Sequence, residues 1–118
     1  MKKDDALAAL GALAQDNRLD VFRLLVESGP EGLPAGSVAN ALKLAPNTLT
    51  FHFDRLRQAG LVTVRREGRS MIYAARYETM NALIDYLTKN CCGGVPLEPR
   101  GPATPSKGAP AKRGTVPA

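Results

Sequence analysis

Sulfur and imidazole are scarce in this chain. Its 118 residues include two cysteines, which are adjacent: Cys91 and Cys92 in the stretch YLTKNCCGG. Two neighbouring thiols cannot staple a small secreted scaffold, so a reducing cytoplasm is the expected setting. The Cys-x-x-Cys spacing of a thiol–disulfide enzyme is missing too, and no enzymatic role is expected. His52 is the lone histidine and sits within a helical pattern, where packing or a phosphate contact is expected rather than metal ligation. No apolar run approaches the roughly 18 residues that a membrane span requires. The opening MKKDDALAALGALAQ places Asp4 and Asp5 where a signal peptide needs positive charge, so it reads as an amphipathic helix.

Positive charge is in modest excess. Sixteen basic against eleven acidic residues give +5, which favours a polyanionic partner. Arg100, Lys107, Lys112 and Arg113 against Glu98 place +3 of that after residue 92, leaving +2 for the first 92 residues. Clustering must therefore matter more than the total. From residue 93 the sequence is dense in proline and glycine and nearly devoid of large apolar side chains. Such a segment buries too little surface to offset its chain entropy, so 93–118 is expected to be a disordered basic tail beside one domain, 1–92.

Periodicity divides that domain into helices and one hairpin. A first helix is expected over about 3–14, with Leu7, Leu10 and Leu13 forming a stripe. A second is capped by Asp16 or Asn17, buries Leu19, Phe22, Leu25 and Val26, and stops at Gly29-Pro30. A short third helix over about 36–42 carries Val38 and Leu42. After the tight turn KLAP, a fourth runs from Pro46 to about Ala59 with Leu49, Phe53 and Leu56 inward, ending at Gly60. LVTVRREGRSMIYAA then reads as a hairpin turning at Glu67-Gly68. A fifth helix, about 78–90, carries Met80, Leu83, Ile84 and Leu87 on one face.

Two short helices, a tight turn and a basic hairpin make a winged helix–turn–helix pattern, mainly α with a β-hairpin. The stretch APNTLTFHFDRLRQAGLVTVRREGRSMIY resembles the recognition helix and wing of the ArsR/SmtB family of metal-responsive repressors. Within it, DRLRQAGLVTVRREGR is especially close, while Phe53 stands where that family more often has leucine. The resemblance spans roughly 5–92 and implies operator binding by a homodimer paired through its terminal helices. A half-site module usually dimerises, and a domain of this size has a limited core of its own. The two terminal stripes suit that pairing.

With Leu49, Phe53 and Leu56 inward, the fourth helix turns Asn47, Thr48, Thr50, Phe51 and Arg55 outward. Amide and hydroxyl groups exchange hydrogen bonds with base edges, and Phe51 or a threonine methyl can meet a thymine methyl. Arg65, Arg66 and Arg69 surround the hairpin tip, where guanidinium groups contact phosphates or enter a minor groove. His52 completes the expected double-stranded DNA-binding set as a phosphate contact. No membrane partner is expected.

The thiols remain to be placed. Many arsenic-responsive members of the family carry a Cys-Val-Cys arrangement in the third helix, where this chain reads Ser37-Val38. Zinc sensors use carboxylates and imidazoles on the last helix, which here has Glu78 and Asp85 but no histidine. LTKNCC instead resembles the subgroup with a Cys-Cys pair at the end of that helix, usually joined by a third cysteine that this chain lacks. The resemblance implies that Cys91 and Cys92 bind As(III) or a related trivalent metalloid as inducer, with no catalytic cofactor. Soft thiolates suit such an ion, whereas structural zinc wants four ligands. Methylarsenite needs only two sulfurs; arsenite needs a third ligand. Two other readings stay open: a redox-responsive Cys91/Cys92 disulfide, and a constitutive DNA-binding protein. A helix C-terminus disfavours thiolate, which weighs against the first.

Overall fold

The computed structural model describes residues 1–90 and 93. Cys91, Cys92 and the expected tail apart from Gly93 therefore lie outside the described residues. Five helices and three strands follow in order: α1 Lys3–Leu13, α2 Asp16–Ser28, β1 Leu33–Pro34, α3 Ala35–Leu42, α4 Pro46–Gln58, β2 Val62–Glu67, β3 Ser70–Ala75 and α5 Tyr77–Thr88. The chain divides into Met1–Leu87, which holds the core, and Thr88–Ala118.

Alanine, not leucine, anchors α1. Ala6, Ala9 and Ala12 are buried, while Leu7 and Leu10 are exposed and Leu13 packs only partly against the core. The expected leucine stripe thus faces outward, because the small alanine stripe beside it lets the α1 backbone approach α2 and α4 closely. Lys2 donates its backbone N–H to the Asp5 carboxylate at 3.4 Å, using one of the free donors at the start of the helix.

The cap of α2 falls one residue earlier than expected. Gln15 is extended, and its side-chain oxygen accepts the Arg18 backbone N–H at 2.9 Å, so Asp16 already lies inside the first turn. Phe22 and Leu25 are buried as expected and Val26 partly so, whereas Leu19 is exposed and Val21, which was not anticipated, is fully buried. Gly29, at φ 88°, ends the helix.

β1 was not anticipated. Its two residues pair antiparallel with β3, Leu33 opposite Tyr73 and Pro34 opposite Ile72, giving a three-stranded sheet ordered β1-β3-β2. Pro34 is tolerated because β1 is an edge strand. Gly32 just before it sits at φ 77°, where a Cβ would collide with the Tyr73 carbonyl oxygen. Between β2 and β3, Glu67 pairs with Ser70, so the turn is Gly68-Arg69 rather than Glu67-Gly68. Gly68 at φ 61° takes the first central position, which demands glycine in a type II′ turn.

The core lies where α2, α3 and α4 meet the sheet. Phe53, Leu25, Leu56, Leu61, Val21 and Val38 are its largest fully buried side chains. Phe53 stacks on Tyr73 with ring centroids 3.6 Å apart and planes within 3°, which gives the phenylalanine at this position a partner on β3. The Tyr77 hydroxyl donates to the Val26 carbonyl at 3.0 Å and ties the start of α5 to α2. Along α5, Leu83 is buried and Met80 partly so, whereas Ile84 and Leu87 are exposed. Their outward turn leaves an apolar edge on α5 matching the one on α1.

Candidate nucleic-acid interface

The geometry of the interface begins at Lys43. It caps α3 in the left-handed region at φ 56°, and Leu44 donates its N–H back to the Ala39 carbonyl at 3.1 Å. That reversal and two further residues deliver the chain into α4, with Pro46 at its first position, where a missing N–H costs nothing. Leu49, Phe53 and Leu56 are buried at helical spacing and fix the rotation of α4. Asn47, Thr48, Thr50, Phe51 and Arg55 consequently all stand exposed, as the sequence pattern requires.

Thr50 donates its hydroxyl to the Pro46 carbonyl at 2.9 Å. Its methyl group and the oxygen's lone pairs are left for a partner. Phe51 is 51% exposed, a large area for an unassembled aromatic ring, and is flanked by guanidinium groups. The Arg55 guanidinium carbon lies 5.2 Å from its centroid and that of Arg18 lies 6.0 Å away. These cation–π contacts hold positive charge over the exposed helix face. Arg18 has no counterpart in the sequence reading: it reaches this face from α2, and nothing local signals that approach.

His52 is only 5% exposed, which favours the packing alternative of the expectation over the phosphate contact. Burial, then the nearby Arg18 charge, lowers its pKa below the ordinary histidine value, which favours the neutral ring.

In the wing the three arginines differ. The Arg65 guanidinium donates to the Glu67 carboxylate at 2.8 Å and to the Glu31 carbonyl at 2.9 Å, so it braces the hairpin against the loop before β1. Arg66 donates to the Gly68 carbonyl at 3.1 Å. Arg69, within the turn itself, makes no hydrogen bond or ion pair among the described residues. Three exposed arginines at one tip form a concentrated positive site, of which Arg69 is the least engaged.

An exposed polar helix behind a tight turn, followed by a basic two-stranded wing, defines a winged helix–turn–helix DNA-binding regulator. Comparison with known proteins agrees. A helix–turn–helix domain model matches residues 13–65. The HTH-type transcriptional regulator YceK of Bacillus subtilis is 32% identical over 85 residues, covering 70% of this chain and 84% of the relative. The transcriptional activator HlyU of Vibrio cholerae is 30% identical over 94 residues, covering 78% and 84%. Among solved structures, the homodimeric winged helix–turn–helix DNA-binding domain of Mb0332 from Mycobacterium bovis, a possible ArsR-family regulator, is 26% identical. It superposes with a TM-score of 0.60 over 74% of this chain and 81% of that one. The chain belongs to the family of helix–turn–helix transcriptional regulators that includes YceK and HlyU. Its relatives are regulators, not enzymes. No helix among the described residues is long and apolar enough to cross a membrane.

Proposed function

We propose that this protein is a homodimeric repressor that reads an inverted-repeat operator through α4 and releases it when trivalent arsenic binds Cys91 and Cys92. The observation that carries the DNA-binding part is the division of α4 into a buried apolar face and an exposed face of Asn47, Thr48, Thr50, Phe51 and Arg55. Dimerisation is supported by the exposed Leu7 and Leu10 on α1 and Ile84 and Leu87 on α5, and by the homodimeric state of the Mb0332 domain. The wing arginines supply sequence-independent affinity through phosphate contacts.

The sensory part rests on the chemistry of the donor set. Adjacent thiolates fit methylarsenite with two sulfurs, and an arsenite or antimonite ion with one further ligand. Two residues past the end of α5, Asn90 stands at φ 58° in the left-handed region, next to the thiol pair in sequence.

Fluorescence anisotropy of labelled operator DNA tests both parts. Thr50→Ala should cost roughly 1–3 kcal/mol of discrimination against random DNA, the worth of a good base contact. An equal loss on both DNAs would remove α4 from base reading. Cys91→Ser and Cys92→Ser should each keep operator binding and abolish release by arsenite or methylarsenite. Release that survives in the double serine variant would eliminate the thiol pair as sensor.

A further inference from the structure

Beside the DNA-reading face lies a hollow that shares Phe51 and Arg55 with that face and Leu7 with the exposed stripe of α1. It occupies about 550 Å³ between α1, the first turn of α2 and α4. That volume lies within the usual range of small-molecule sites. Its floor is the small-residue side of α1, including Ala8, Gly11 and Ala12, which supplies apolar surface. Its other wall carries Phe51, His52 and Arg55, with Arg18 at one end.

Two observations point to an occupant. The first is His52, which lines the hollow while only 5% exposed, with neither Nδ1 nor Nε2 holding a hydrogen-bond partner. Buried polar side chains are normally satisfied, and a neutral imidazole offers one donor and one acceptor. The second is charge. Arg18 is anchored by donation from Nε to the Ala12 carbonyl at 2.8 Å, which leaves its terminal nitrogens available. Neither Arg18 nor Arg55 forms an ion pair among the described residues, and no acidic side chain lines the hollow. Two uncompensated cations, a desolvated imidazole and an apolar floor together specify an anionic head on a compact hydrocarbon body.

We propose that the hollow between α1 and α4 binds a small organic carboxylate, held by Arg18, Arg55 and His52 with its apolar body against Ala8, Gly11 and Ala12 of α1. A guanidinium grips a carboxylate through paired N–H donors, while a bare inorganic anion would leave the floor without a partner. Because Phe51 and Arg55 also belong to the exposed face of α4, an occupant draws both away from DNA. This antagonism rests on the assignment of α4 as the DNA-reading helix, whereas the binding site itself does not.

The test uses the full chain, isotope-labelled for NMR and titrated with benzoate at constant ionic strength. Saturable shifts at the Ala8, Gly11 and Ala12 amides and at the His52 ring are expected, and benzamide and inorganic phosphate should fail to reproduce them. Arg18→Gln should weaken benzoate binding about tenfold or more, the loss of a charge-assisted contact. Gly11→Leu keeps a separate check on folding, since a Cβ at Gly11 meets nothing within 4 Å, and its side chain should plug the hollow and remove the shifts. Absence of saturable shifts, equal shifts with benzamide or phosphate, or shifts that persist in Gly11→Leu would overturn the site. In operator anisotropy, benzoate should lower affinity by about fivefold or more, within the usual range of effector coupling, and not in Gly11→Leu. Unchanged DNA affinity despite benzoate shifts would overturn the antagonism. Failure of the ligand-free chain to bind DNA would instead overturn the proposed function and leave the NMR result standing.

Discussion

Single residues set several tolerances of this fold. Gly32 holds a positive φ against the Tyr73 carbonyl, so Gly32→Ala combines backbone strain with a collision. The strain alone costs roughly 1–2 kcal/mol, and a lowered thermal midpoint measured by circular dichroism should report at least that. An unchanged midpoint would mean that β1 detaches from β3 without consequence. His52 acts on stability through pH. Its pKa is depressed in the folded chain by burial and by Arg18, so the unfolded chain binds the proton more readily. Stability is therefore fully present above the unfolded value of about 6.5 and is lost as pH falls from there through the folded value. Thermal midpoints measured between about pH 7 and pH 5 should fall in the wild type more steeply than in His52→Phe. Parallel curves would show that the ring protonates without cost where it sits.

Whole elements divide labour in ways that composition alone does not reveal. α4 separates cleanly into core and exposed faces because Leu49, Phe53 and Leu56 recur at helical spacing. In the wing, three arginines of the same type have unequal freedom: Arg65 braces the hairpin, Arg66 closes the turn, and Arg69 is unengaged among the described residues. Arg69→Ala should flatten the dependence of log affinity on log salt by about 0.9, the value of one lost phosphate contact. Arg65→Ala should change that slope less, since Glu67 already neutralises it. Equal slope changes, measured by anisotropy over a salt series, would mean that the internal pairing opens on DNA.

For the whole molecule, the decisive feature is apolar surface left outside the core. Leu7, Leu10, Ile84 and Leu87 are all exposed, and Leu87 reaches 57%. A domain of this length has little core to spare, and covering those side chains against a second copy would add to it. Combined Ile84→Glu and Leu87→Glu substitutions should shift sedimentation from dimer to monomer and weaken binding to an inverted repeat while a single half-site is little affected. A dimer that survives both charges would place its interface elsewhere.

The helical elements, the exposed polar face of α4 and the hairpin were legible in sequence because each depends on local periodicity, capping chemistry or a glycine with a required φ. Leu49, Phe53 and Leu56 repeat at the spacing that one helix face demands, so Asn47, Thr48, Thr50, Phe51 and Arg55 could be assigned to the other. The cysteine pair was legible only as chemistry, since Cys91 and Cys92 lie outside the described residues. Tertiary structure decided what local pattern could not. Two adjacent stripes run along α1, and only packing against α2 and α4 selects the alanines over the leucines. β1 is too short to announce itself and exists because β3 offers it a free edge. Arg18 joins the face of Phe51 and Arg55, and His52 turns inward, because the approach of α2 and α1 to α4 sets their surroundings. Periodicity fixes which residues share a face; only the three-dimensional neighbours fix what each face meets.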